Sequence, residues 1–151
     1  MNKESVNQQI RAILDSSDDQ VPKAERIAEV IRLASHYRWV GIYEVDDREI
    51  VNIARSGAGA PTYPRFPVTR GLSGHAVASR STVISNDVAN DPRYLTAFES
   101  TRSEIIVPII SPTDGSVIGT IDVESERKNA FSEEARMALE ECAHAVARLW
   151  R

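Results

Sequence analysis

In the segment SVIGTIDVES, Asp122 and Glu124 interrupt a run of β-branched residues and stand two positions apart. On a strand that spacing aims both carboxylates at one face, with Ile118 and Thr120 beside them. Carboxylates taken out of water are costly unless they are paired or protonated, so the pair predicts a cation nearby. The neighbouring run EIIVPII begins at Glu104, and the hairpin register decides whether that acid joins the pair. A three-residue Thr113-Asp114-Gly115 loop, with glycine as the left-handed residue, sets Pro112 opposite Ser116, Glu104 opposite Glu124 and Ile106 opposite Asp122. A four-residue turn would put Glu104 on the other face. In the first register three acids share one patch. Arg70, Arg102 or a lysine could neutralise them structurally, or the patch could hold the ammonium group of a ligand.

A second feature suits the other end of such a ligand. Gly71-Leu72-Ser73-Gly74 reads as a helix start, whose free N–H groups and positive dipole end fit a carboxylate; the plain alternative is close backbone packing at the two glycines. Trp39 and Tyr43 lie on the same face of the first strand and could wall the pocket, or simply fill core. The candidate ligand-binding residues are therefore Trp39, Tyr43, Gly71, Ser73, Glu104, Asp122 and Glu124, and the ligand class they suggest is a zwitterionic or cationic metabolite such as a free amino acid. No catalytic residue is assigned. Ser73, His75 and Asp87 lack the G-x-S-x-G elbow and any spacing that makes a triad. His36, His75 and His144 are too scattered for a metal site, and no cofactor is expected. Cys142 is the single cysteine, so an internal disulfide is impossible, and its helical spacing with Leu139, Val146 and Leu149 makes it a buried apolar residue.

The elements that must position these groups are legible from periodicity. Val6, Ile10, Ile13 and Leu14 form one stripe of a first helix, over about residues 3–15; Pro22 opens a second, buried through Ile27, Val30, Ile31 and Ala34. WVGIYEV and EIVNIA then alternate about the polar Asp46-Asp47-Arg48, a hairpin signature. SGAGAPTYPRFP reads as an irregular loop, GLSGHAVASR as a short helix with Leu72, Ala76 and Val77 inward, STVIS as a short strand, and NDVANDPRYLTAFEST as a loop or a single helical turn that could serve as a lid. After the two clear strands, Ser132 caps a final helix reaching Trp150, with Glu133 and Glu134 in its first turn. Helices bracket strands, which predicts an α+β domain with a mainly antiparallel sheet over residues 1–151.

Composition agrees. The chain has 151 residues, 42% hydrophobic and 26% charged, as expected of one globular domain. A net charge of -4, with no block of like charge, argues against a nucleic-acid surface. No signal sequence and no apolar run of roughly 20 residues is seen, which predicts a cytoplasmic chain without a membrane partner.

RWVGIYEV, VTRGLSGHAVAS, STRSEIIVPI and GTIDVES, in this order, resemble the GAF domain, and in detail its free methionine-(R)-sulfoxide reductase branch, over about Ala24 to Trp150. The specific motifs are S-E-I-x-x-P and the acid-x-acid-S that ends the next strand. The resemblance implies a central antiparallel sheet with helices packed on one side and a ligand pocket under loops on the other. In that branch a glutamate and two aspartates hold the substrate ammonium; here those positions are Glu104, Asp122 and Glu124, the last a longer acid. It also implies that the branch's cysteines would fall on Tyr63, Ser73 and Ala97 or its neighbour, none of which is a thiol. Sulfoxide reduction needs a thiolate to attack sulfur and a second thiol to close a disulfide. The expectation is therefore a sensory binding module, with a divergent reductase using Cys142 or an external thiol as the alternative. GAF proteins often pair through their first and last helices, so the helical stripes near both ends, including the 3–15 extension, suggest a homodimer. A downstream signalling partner is expected but not identifiable.

Overall fold

The structure is a computed structural model that describes residues 3–150. Helices α1 (Lys3–Leu14) and α2 (Gln20–Ser35) lead into strands β1 (Trp39–Val45), β2 (Glu49–Gly57) and β3 (Arg65–Pro67). Helix α3 (Gly71–Ser79), β4 (Val83–Ser85) and a 3₁₀ turn at Val88–Asn90 follow, then β5 (Ser103–Ile110), β6 (Val117–Ser125) and α4 (Glu133–Val146), which tightens into a 3₁₀ turn at Ala147–Trp150. Six antiparallel strands form one sheet in the order β3-β2-β1-β6-β5-β4.

The alternating pattern of each strand divides the sheet into two unlike faces. Val40, Ile42, Ile105, Val107, Ile109, Ile121 and Val123 point to one side and join α1, α2 and α4 in the main apolar core. Helix α1 belongs to that core: Val6, Ile10, Ile13 and Leu14 are all buried within the chain. The apolar stripe that suggested an outward dimerisation surface is therefore spent on the chain's own packing. Leu139, Cys142, Val146 and Leu149 are buried as their spacing predicts. Ser132 caps α4, its side chain accepting from the Ala135 N–H at 3.1 Å.

The opposite face carries Trp39, Tyr43, Asp122, Glu124, Glu104 and Ile106, covered by α3 and by the loops at 58–64 and 91–102. Three helices thus pack on one side while α3 sits on the other. Gly41, opposite Asp122, leaves room on this face for the Trp39 ring: a Cβ there would lie 2.3 Å from Trp39 Cη2.

The β5–β6 register is Glu104 opposite Glu124 and Ile106 opposite Asp122, but the turn is not the three-residue loop. The Ser116 carbonyl accepts from the Ser111 N–H at 2.8 Å, so Pro112–Gly115 form a four-residue turn with Gly115 left-handed. A bulge between Ile109 and Ile110 compensates, pairing Ile109 with Gly119 but Ile110 with Val117. The extra residue also turns Ile118 toward the helix-side core, away from the face of Thr120, Asp122 and Glu124. Two further boundaries differ from expectation. α2 starts at Gln20, with Pro22 still inside the first turn where its missing N–H costs nothing, and Arg65–Pro67 within the supposed irregular loop pairs with β2.

Candidate functional site

Strand registry brings the three acids together. Glu104, Asp122 and Glu124 are at most 5% exposed, and each offers a carboxylate oxygen within 4.8 Å of the others. Trp39 stands opposite Glu124 on β1, and Gly41 opposite Asp122. Thr101 donates from Oγ1 to Glu124 Oε1 at 2.7 Å. Asp122 Oδ1, Glu124 Oε2 and the Thr120 hydroxyl are buried without a protein hydrogen-bond partner among the described residues.

No described Arg or Lys forms an ion pair with any of the three. Arg70 and Arg102, the structural counter-charges considered from sequence, are exposed. Arg38 acts on Glu124 only from a distance; its guanidinium is paired with Glu126 at 2.9 Å and lies 4.6 Å from the centre of the Phe98 ring. Three acids in an apolar site with no contacting cation resist ionising. Burial, followed by the Asp122 charge, pushes Glu104 and Glu124 well above the carboxylate range. Asp122 is pushed up by burial to about 6, moderated by hydrogen bonds from the two glutamates.

A cavity opens over Glu104 and Asp122 and ends at the start of α3. Its walls include Tyr43, Gly71, Ser73 and Leu72, and its roof is Tyr63, Phe66, Leu95 and Ala97. The first backbone N–H groups of α3 lie ahead of its first internal bond, from the Gly74 N–H to the Arg70 carbonyl. Gly71 has φ +74 and packs against Leu95, whereas Gly74 presses on the backbone of Thr69, where a Cβ would come within 2.6 Å. The close-packing explanation therefore accounts for Gly74, and Gly71 is the glycine at the cavity. The volume is about 20 Å³, room for roughly one water, so anything larger enters only if the roof moves. A wider groove of about 840 Å³ among α1, α4 and the β5–β6 turn is open at the surface, where Arg11, Glu140, Glu141 and Arg148 stand among apolar residues such as Ile110, Met137 and Ala147, and it holds none of the three buried acids.

Of the seven residues expected at the site, Tyr43, Gly71, Ser73, Glu104 and Asp122 line this cavity. Trp39 and Glu124 do not. Trp39 is buried beside it under Phe98, ring centres 5.1 Å apart, with its indole N–H donating to the Gly59 carbonyl at 3.1 Å. Glu124 is fully buried behind Thr101. Phe66 and Leu95 are cavity residues that sequence reasoning misses: Phe66 sits on the short edge strand β3 opposite Ile50, and Leu95 lies in the loop before β5. The loops before β3 and β5 are linked at Thr62, whose N–H and hydroxyl both donate to the Ala97 carbonyl.

Tyr63, Ser73 and Ala97, the positions where the resemblance places thiols, all line the cavity. The only sulfhydryl, Cys142, sits in the helix-side core across the sheet, 1% exposed, its thiol pushed up by burial to about 12. It cannot reach a group held by the acids.

A GAF domain model matches residues 24–151. The chain is 30% identical over 131 residues to GAF domain-containing protein A of Dictyostelium discoideum, covering 86% of this chain and 80% of that protein. Its structure is similar to that of free methionine-R-sulfoxide reductase from Neisseria meningitidis in complex with its substrate, with 33% identity and TM-score 0.88 over 98% of this chain and 87% of that one. It is also similar to the type II free methionine-R-sulfoxide reductase of Thermoplasma acidophilum, with 30% identity and TM-score 0.80 over 86% of this chain and 91% of that one. With its six-stranded antiparallel sheet, the three acids on one face and a family match spanning most of its length, the chain belongs to the GAF domain family.

Proposed function

We propose that this domain is a small-molecule sensor that binds a zwitterionic metabolite, most simply a free amino acid, and reports its presence to a partner protein. The observation that carries this reading is one cavity with Glu104 and Asp122 at one end, backed by the buried Glu124, and the start of α3 at the other, where the first backbone N–H groups precede its first internal bond. An ammonium group supplies the missing cation, and a carboxylate fits the positive end of the helix. The roof of Tyr63, Phe66, Leu95 and Ala97 would surround an apolar side chain. The substrate named for the similar reductases, free methionine-R-sulfoxide, has this layout.

Binding is favoured over turnover because no sulfur lies at the cavity and Cys142 lies across the sheet. A reductase working through Cys142 would need that helix to leave the core. Homodimerisation remains a proposal, now without the α1 stripe as its surface.

A thermal-shift screen of the purified domain against free amino acids, L-methionine and methionine-R-sulfoxide included, tests the reading. A ligand at 100 times its Kd stabilises the native state by about 2.7 kcal/mol, and Asp122→Asn should abolish the shift. No shift with any zwitterion would remove the amino-acid reading; a shift that survives Asp122→Asn would move the ammonium elsewhere.

A further inference from the structure

We infer that the pocket exchanges protons for its ligand: the empty cluster of Glu104, Asp122 and Glu124 holds protons that leave when an ammonium group arrives. This rests on the reading of the site given above and adds the regulation of binding by pH.

The geometry requires some protonation. Three carboxylates have oxygens within 4.8 Å of one another, behind a roof and with no contacting cation among the described residues. If all three were ionised, none could donate, and Asp122 Oδ1 and Glu124 Oε2 would stay buried without a partner. Protons on the two glutamates change this, because each then donates to Asp122. The arrangement becomes one carboxylate held by two carboxylic acids. Thr120, a fully buried and unpartnered hydroxyl two residues from Asp122 on the same face, is a further polar group that the protein alone leaves unsatisfied.

The surroundings offer little other charge balance, and none of it in contact with the acids. Tyr43 on β1 and Tyr94, packed against Leu72, Ala76 and Ile106, are pushed up by burial and by these acids, so both stay neutral. From β4, Ser85 is the residue opposite Glu104. Behind it, Asp91 is already held as an ion by Arg93 at 2.7 Å. Ahead of β1, Arg38 pairs with Glu126 through Nε, leaves Nη1 buried without a partner among the described residues and acts on Glu124 only from a distance, while Arg55 on β2 acts on the phenol of Tyr43 and is exposed. The first turn of α3 carries no charged side chain.

In the exchange, an arriving ammonium keeps its three protons and donates hydrogen bonds to carboxylate oxygens. For each cation seated, a glutamic acid O–H breaks, the electron pair stays on oxygen, and the proton passes to solvent. One proton released per ligand makes the affinity rise tenfold per pH unit while the empty cluster remains protonated. The device favours capture at higher pH and release at lower pH.

Two measurements on the intact domain test this. Calorimetric titration with L-methionine at pH 7, in phosphate and in Tris, gives the protons released from the difference in binding enthalpy between buffers. Close to one proton is expected, with Kd falling about tenfold from pH 6 to pH 7. Equal enthalpies and a flat Kd would overturn the exchange while leaving amino-acid binding intact; no binding at all would overturn the site reading and the exchange with it. Infrared spectra of the ligand-free protein at pH 7 should show a protonated carboxylic acid band that is lost in Glu104→Gln/Glu124→Gln. A spectrum with only carboxylate bands would overturn the proposal whatever the calorimetry gives.

Discussion

The two faces of the sheet are built by the same strands and are about equally dry, yet they do opposite things with their buried residues. On the helix side, Ile105, Ile121 and Val123 meet only hydrocarbon and are completely covered. One residue along in each case, Glu104, Asp122 and Glu124 are nearly as covered on the other side, and Asp122 Oδ1 and Glu124 Oε2 have no hydrogen-bond partner among the described residues. Burial alone therefore does not identify core. The helix face gains stability from what is hidden there, whereas the pocket face gives some up, which the proposed function reads as capacity kept for a ligand.

Substitutions on each face should separate these roles. The largest effect is expected on the helix face, where Ile121→Ala should cost about 2–5 kcal/mol in denaturant unfolding and leave the pH dependence of stability unchanged. On the pocket face the sign reverses. Replacing an uncompensated buried acid by its amide should stabilise the ligand-free domain, so Glu104→Gln should gain about 1–4 kcal/mol at pH 8 while weakening ligand binding. A loss of stability in that variant would mean that the acids are structural.

The pH dependence follows from the same contrast. Acids whose folded pKa is raised bind more protons in the native state than in the unfolded chain, so ligand-free stability is greatest below the ordinary carboxylate range and falls as pH rises through the folded values. Asp122, at about 6, places its share of that decline between the ordinary carboxylate range and about pH 6, and the raised glutamates extend it in the same direction, measurable as a falling Tm. Glu104→Gln/Glu124→Gln should flatten it. The smallest effect belongs to Cys142→Ser in the helix-side core, about 1 kcal/mol for burying a hydroxyl in place of a thiol, with no change in ligand affinity. A lost ligand response there would connect the two faces.

The strands, the terminal helix and the acid patch were legible in sequence because each rests on local periodicity. The register was reached for an incomplete reason: the turn is one residue longer than a simple hairpin loop, and the bulge beside Ile110 restores the alignment that the turn disturbs. Neither departure has a local sequence signature. β3 is three residues long, too short to show alternation, and is held only by its pairing with β2. The roof was least legible, since Phe66 reaches the cavity on a three-residue edge strand and Leu95 on a loop, neither of which any periodicity encodes. Glu124 and Trp39 were assigned to the correct face, but their depth beneath Thr101 and Phe98 depends on tertiary packing that strand spacing does not report.

The central claim is that the carboxylate face exists to hold a ligand's ammonium group. Calorimetric comparison of L-methionine with N-acetyl-L-methionine, which keeps the side chain and carboxylate but loses the charge, tests it most directly. The account predicts saturable binding of L-methionine and at least a hundredfold weaker binding of the acetylated form, about 2.7 kcal/mol, as expected when a charged hydrogen-bonding group is removed from a buried site. Equal affinities for the two would contradict it.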